Sequence, residues 1–304
     1  MGVDQIVATD SDGGDRMVAD IEHRRVDTGE VSLHVATAGP EDGDPVVLLH
    51  GFPEFWYGWR HQIPALADAG YRVIVPDQRG YNTSDKPDGF EAYTVDRLAG
   101  DVVGLLDELG HESAQFVGHD WGAAVLWQTM LSDPDRVDRG VILNVPHPAV
   151  FQDVLSNELR QKLKSYYMFF FQLPRIPEFV LRAGGWRGLS WFMHTSNREN
   201  TFTDADMDRY REAWAQPGAV TGMVNWYRAT FQGDIDVPPT MEVSVPTMVL
   251  WGTEDAYLVS EMAAQSVEYC RDGRLERFED ATHWLHHEEP GRVNALLRDF
   301  FEEP

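Results

Sequence analysis

No stretch constrains the fold of this chain more than Val117-Gly118-His119-Asp120-Trp121-Gly122-Ala123. An apolar strand end runs into a turn of small residues and then into helix-forming sequence. The spacing is that of G-x-S-x-G, a sharp strand-to-helix turn that holds one side chain out at the edge of a sheet. Asp120 stands in the exposed position, where a serine would be the usual occupant. A plain acidic turn has the same local pattern, so the reading depends on the residues around it.

A serine placed there attacks a carbonyl carbon. A carboxylate is better suited to displacement at an sp3 carbon, where it becomes an alkyl ester on the protein. Water activated by a general base then attacks the ester at the carboxylate carbon and restores the aspartate. The leaving group has to be a halide or the oxygen of a strained ring.

Apolar patterning around the turn predicts eight strands, at 21–26, 31–38, 46–49, 71–75, 113–117, 137–143, 245–251 and 274–278. Val46-Val47-Leu48-Leu49 is apolar throughout, as a strand covered on both faces must be. Helices are expected at 56–69, 95–109, 121–131, 256–269 and 290–300. In the second of these Leu98, Val102, Leu105, Leu106 and Leu109 share one face, Thr94 is placed to cap the start and Gly110 ends it. This alternation implies an α/β fold, a mostly parallel eight-stranded sheet with helices on both faces. From about Pro148 to Pro239 the β-branched runs give way to aromatics, among them the run Tyr166 to Phe171, Trp186, Trp191, Trp214, Trp226 and Tyr227. That segment reads as an inserted helical lid, able to close over the carboxyl ends of the strands and exclude water. The chain thus divides into a flexible acidic lead at 1–20, a first core part at 21–147, the lid at 148–240 and a second core part at 241–304.

Charge narrows the partners. Of the 304 residues, 50 are acidic and 25 basic, a net charge of -25. Such a total repels nucleic acid and anionic membranes. It also suggests adaptation to concentrated salt, where self-repulsion is screened. No apolar run is long enough to span a bilayer, and the acidic start Met1 to Asp20 resembles neither a signal nor a transit peptide, so a cytoplasmic location is expected. Cys270, the single cysteine, has no internal disulfide partner and is expected to pack in a helix. No two-metal spacing and no phosphate-cradling glycine loop appears, so neither a metal nor an organic cofactor is implied. The expected partners are a small-molecule substrate and water; a homo-oligomer is compatible with the sequence.

An ester on Asp120 needs a base. His283, following the last strand in Asp280-Ala281-Thr282-His283-Trp284, is the natural choice among 11 histidines, because an imidazole with a pKa near 6.5 keeps a neutral fraction near pH 7. His286 and His287 are expected at the start of the next helix, facing solvent or packing locally. The imidazole requires an orienting acceptor. Asp255, just beyond the preceding strand end, fits the order nucleophile, acid, histidine; Glu254 competes, and the earlier strand end offers Asn144 and no carboxylate. In His50-Gly51-Phe52-Pro53 the glycine permits a tight bend, and the Phe52 amide can join that of Trp121 as an oxyanion hole for the second oxygen of Asp120. Read blandly, the same four residues are only a turn.

Together, His50-Gly51-Phe52-Pro53-Glu54, Trp59-Arg60-His61-Gln62, Asp77-Gln78-Arg79-Gly80-Tyr81, Gly118-His119-Asp120-Trp121-Gly122 and His283-Trp284 resemble the epoxide hydrolases of the α/β-hydrolase superfamily, over nearly all of 22–300. The resemblance implies an epoxide converted to a vicinal diol. It also implies two lid tyrosines that donate hydrogen bonds to the ring oxygen, matching Tyr167, with Tyr166 beside it, and Tyr227. Phenols with a pKa near 10 stay protonated at pH 7 and can donate as the C–O bond breaks. Trp121, Phe52, Trp226 and Phe171 are expected to line the substrate pocket.

Haloalkane and haloacid dehalogenases share the aspartate nucleophile and stay open as an alternative. Many haloalkane dehalogenases resemble one another in an asparagine where Phe52 stands, and fluoroacetate dehalogenases carry an arginine where Trp121 stands, so the epoxide is preferred. An esterase would want serine at position 120, and a silent interaction protein would lack need of the three reacting groups.

Overall fold

The computed structural model describes residues 20–233 and 240–303, with the backbone alone of 3–4, 7–9 and 15–17. Its main sheet contains β1 (Val3–Asp4), β4 (Ile21–Asp27), β5 (Ser32–Ala38), β6 (Pro45–Leu49), β7 (Arg72–Pro76), β8 (Ala114–His119), β9 (Val137–Leu143), β10 (Thr247–Gly252) and β11 (Gly273–Phe278), in the spatial order β1-β4-β5-β7-β6-β8-β9-β10-β11. A separate hairpin pairs β2 (Val7–Thr9) with β3 (Asp15–Met17). The eight expected strands are therefore joined by a two-residue ninth. Three short strands fall in the stretch expected to be a loose lead; its other residues, apart from Asp20, lie outside those described.

From β7 onward every pairing is parallel, while β1, β4 and β5 form an antiparallel margin. The central strands β6 and β8 carry fully buried residues such as Val46, Leu48, Phe116 and Val117. A completely buried Val, Leu or Phe stabilises by roughly 1.5–3 kcal/mol. Around the sheet pack α1 (Gln62–Asp68), α2 (Val95–Leu109) and α3 (Trp121–Ser132), and, after the lid, α10 (Glu261–Val267), α11 (Leu285–Glu288) and α12 (Pro290–Phe301). Between β9 and β10 come α4 (Pro148–Asn157), α5 (Leu159–Lys164), α6 (Tyr166–Phe170), α7 (Ile176–His194), α8 (Asp204–Trp214) and α9 (Ala219–Gln232). The helix α7 is interrupted by non-helical backbone at Ala183 to Trp186. No helix among the described residues is long and apolar enough to cross a membrane.

Several local expectations need correction. The helix expected over 56–69 splits into a 3-10 turn at Trp56–Trp59 and α1. The one expected over 256–269 starts only at Glu261, because the Tyr257 and Leu258 amides donate instead to the Asp255 carboxylate, at 2.7 and 3.0 Å. Cys270 consequently lies past that helix. Thr94 does precede α2 with extended backbone, but its side chain makes no capping hydrogen bond; its methyl faces Gly233, where an added Cβ would stand 2.8 Å away.

Candidate active site

Asp120 sits between β8 and α3 with φ 49 and ψ -123, a left-handed conformation uncommon for a residue with a side chain. Strain of this kind costs on the order of 1–3 kcal/mol and needs surroundings that enforce it. Three glycines allow the enforcing contacts. A Cβ on Gly118 would lie 2.6 Å from the Gly122 carbonyl, one on Gly122 would lie 2.1 Å from the Leu49 carbonyl, and one on Gly51 would lie 2.3 Å from Asp120 Cβ itself. The spacing read from sequence is thus a packing requirement.

His50 fixes the neighbouring turn. Its Nε2 accepts from the Gln78 amide at 3.1 Å, leaving Nδ1 to donate to the Gly51 carbonyl at 3.1 Å. From this turn the Phe52 amide donates to Asp120 Oδ1 at 2.7 Å. Among the described residues no hydrogen bond runs from the Trp121 amide to the carboxylate; that N–H is one of the free donors at the start of α3. Only the Phe52 half of the expected oxyanion hole is therefore engaged.

His283 meets both carboxylates. Its Nε2 lies 3.5 Å from Asp120 Oδ2 and its Nδ1 2.8 Å from Asp255 Oδ2. Asp255 is itself held by Asn144 Nδ2 at 2.6 Å as well as by the two amides after it. Asn144, set aside in the sequence for lacking a charge, orients the acid. Glu254 makes no contact with His283 among the described residues; its backbone amide bonds to Ala281. Burial disfavours the charged imidazole, yet Asp255 and then Asp120 outweigh it and raise the His283 pKa to about 10.

Asp120 also opens onto a cavity of about 570 Å³, which Tyr167, Met168 and Tyr227 of the lid line as well. The ring centres of the two tyrosines are 5.9 Å apart. Burial first, and the Asp120 charge second, push both phenols well above their usual range, so both remain donors. Trp121, Ala124, Gln128 and Leu131 form the α3 wall, a stripe at helical spacing that runs about 15 Å along the helix axis at about 1.5 Å per residue. Of the four expected pocket residues, only Trp121 lines this space. Phe52, Phe171 and Trp226 are buried behind the wall: Phe52 and Phe171 pack on Tyr227, while the Trp226 indole donates to the Arg79 carbonyl at 3.1 Å.

A buried polar cluster behind the histidine went unread in the sequence. His286 and His287 do not face solvent; they are 0% and 6% exposed. His287 Nε2 lies 2.8 Å from Glu54 Oε1, which also accepts from Tyr210 at 2.6 Å, and His119, next to the elbow aspartate, bonds through Nε2 to the His283 carbonyl at 2.9 Å. Glu54, His286 and His287 bring ligand-type atoms close enough for a metal ion. The hydrogen bonds oppose that use: Arg60 donates to His287 Nδ1 at 3.0 Å, which places the imidazole proton on Nε2, pointed at Glu54. No residue number in the sequence signals this cluster, because its members come from four separate elements. The Cys270 thiol, pushed up to about 11 by burial, is no nucleophile at neutral pH.

Comparison with known proteins identifies the family. The family described as alpha/beta hydrolase fold matches residues 44–290. The AB hydrolase superfamily protein YfhM of Bacillus subtilis (strain 168) is 46% identical over 91% of this chain and 96% of its own length. Epoxide hydrolase A of Mycobacterium tuberculosis (strain ATCC 25618 / H37Rv) is 38% identical over 91% of this chain and 96% of its own. The crystal structure of a Bacillus megaterium epoxide hydrolase in complex with an inhibitor superposes with a TM-score of 0.84 at 28% identity, covering 93% of this chain and 100% of that one.

Proposed function

This chain belongs to the alpha/beta hydrolase fold family and within it to the epoxide hydrolases, and on that premise we propose that Asp120 opens the ring, Tyr167 and Tyr227 stabilise the departing oxygen, and His283 with Asp255 directs water onto the resulting ester. The observation that carries this assignment is that Asp120, with His283 Nε2 3.5 Å from its Oδ2, shares one cavity with two protonated lid phenols. Because Asp120 Oδ1 is committed to the Phe52 amide, Oδ2 is the attacking oxygen. It bonds to a ring carbon, the C–O bond breaks, and the alkoxide takes a proton from a tyrosine. Water, giving its proton to His283, then adds to the carboxyl carbon while negative charge collects on Oδ1. The collapse breaks the bond between the carboxyl carbon and Oδ2, which leaves with the diol and takes the proton held by His283, while the proton left on the re-formed carboxyl group returns to the tyrosinate, so that Asp120 and the tyrosine are both restored.

Tests of the reaction use styrene oxide, with 1-bromobutane and fluoroacetate as controls. Diol without halide release is the expected outcome; halide release without diol would assign the site to a dehalogenase. Tyr167→Phe and Tyr227→Phe should each lower kcat on styrene oxide by about 10²-fold, the scale of losing one donor to a developing oxyanion, and the double variant by more. Unchanged kcat in both single variants would remove the tyrosines from the mechanism.

The surface charge supports an intracellular protein of a salt-rich cytoplasm. Denaturation midpoints should then rise strongly between about 0.1 and 2 M KCl, as a Debye length falling from about 10 Å toward 3 Å screens the net charge of -25. A flat salt dependence would leave the composition without that explanation.

A further inference from the structure

The net charge conceals its own distribution. Residues 159–198 of the lid contain seven of the 25 basic residues and one of the 50 acidic ones, Glu178, which is paired with Arg228 at 2.7 Å. The same stretch holds nine of the eleven large hydrophobic side chains that are exposed among the described residues. Leu159, Leu163, Tyr166, Phe169, Leu173, Ile176 and Phe179 recur at steps of three or four through α5, α6 and the start of α7, with Phe179 75% exposed and Trp191 61% exposed. Arg175, Arg182 and Arg187 are exposed beside them with no acidic partner among the described residues.

We propose that this outer lid face docks on an anionic lipid bilayer. Exposed aliphatic side chains, tryptophan and tyrosine at the margin and unpaired cations around them are the pattern that lies in a membrane interface. At 0.1 M salt charges beyond about 10 Å are screened, so the acidic remainder of the molecule does not cancel the attraction of the lid cations; in the concentrated salt proposed above, with a Debye length of about 3 Å, those cations are screened as well and the apolar side chains carry the docking. A two-fold pairing with a second copy is disfavoured, because the same patch would meet itself and appose the cations. The lid is also thin here. In α6, Tyr166 is 64% exposed while Tyr167 and Met168 line the cavity, so one helical turn separates the apolar outer face from the site. Apolar epoxides dissolved in the bilayer then have a short route to Asp120, a consequence that rests on the reaction proposed above.

Flotation with vesicles tests docking without turnover. The protein should float with vesicles of phosphatidylcholine and phosphatidylglycerol in equal parts, with a blue shift of tryptophan emission, and stay behind with phosphatidylcholine alone. Removing two cations in Arg182→Gln/Arg187→Gln should weaken binding about 25-fold, at roughly fivefold per charge. Leu163→Ser/Phe179→Ser should weaken it through the apolar term. Diol formation from water-soluble styrene oxide in the same preparations checks the fold and the reaction separately. No flotation with the anionic vesicles, binding indifferent to both variant pairs, or a concentration-dependent dimer abolished by the serine pair would each overturn the proposal.

Discussion

Asp120→Asn is expected to lower turnover of epoxide by at least about 10⁴-fold, the scale on which hydrolases fail when a reacting group of the triad is removed. The change should be chemical and not structural. Asparagine tolerates the left-handed backbone of position 120 better than most residues, and its amide oxygen can still accept from the Phe52 N–H now 2.7 Å from Oδ1. What it lacks is an anionic oxygen to attack carbon. Thermal unfolding should therefore stay close to that of the parent while diol formation disappears. The same assignment predicts where oxygen goes. In a single turnover in heavy-oxygen water, the label should enter the Asp120 carboxylate, and the first diol should carry an unlabelled oxygen from the protein. A diol labelled from the outset, with an unlabelled Asp120, would mean that water attacks the ring directly and that no ester forms.

The parts of this site legible in the sequence are those set by local pattern. Gly118 and Gly122 announce the elbow because no side chain fits against the Leu49 and Gly122 carbonyls, and Asp255 and His283 could be found because each follows the end of a strand. Depth was not legible. Phe52, Phe171 and Trp226, expected at the cavity wall, lie behind it, because nearness to a motif along the chain does not report how many layers lie in front of a residue. Nor was the Glu54 cluster, whose members meet only when α11 folds against the turn after β6. A carboxylate can also reshape its own neighbourhood: Asp255 takes two amides that a helix starting at Ala256 would have used. Finally, summing charge over the whole chain hid the basic, apolar face of the lid, and a sum cannot describe a surface on which interactions fade within about 10 Å.

His283→Gln should separate the two half-reactions. Glutamine cannot accept the proton of water, so hydrolysis of the ester should slow by about 10²–10⁴-fold, the usual contribution of a general base. Ring opening depends on Asp120 and the tyrosines and should be affected less, so that the ester accumulates and appears by mass spectrometry on the peptide containing Asp120. Folding should survive, because Asp255 keeps three donors, from Asn144, Tyr257 and Leu258, after losing the imidazole. The charge on Asp120 explains how a histidine with a pKa raised to about 10 serves as a base at all. In the free enzyme the imidazole is protonated between two carboxylates. Once Asp120 is an ester, one of the two anions is gone and the histidine binds its proton less tightly, just when a base is required. The rate of ester hydrolysis should consequently rise with pH through a value below that of the free enzyme, and the imidazole of Asp120→Asn, followed by NMR, should titrate at lower pH than in the parent. An unshifted imidazole titration would break this coupling, and an adduct on any residue other than Asp120 would displace the nucleophile.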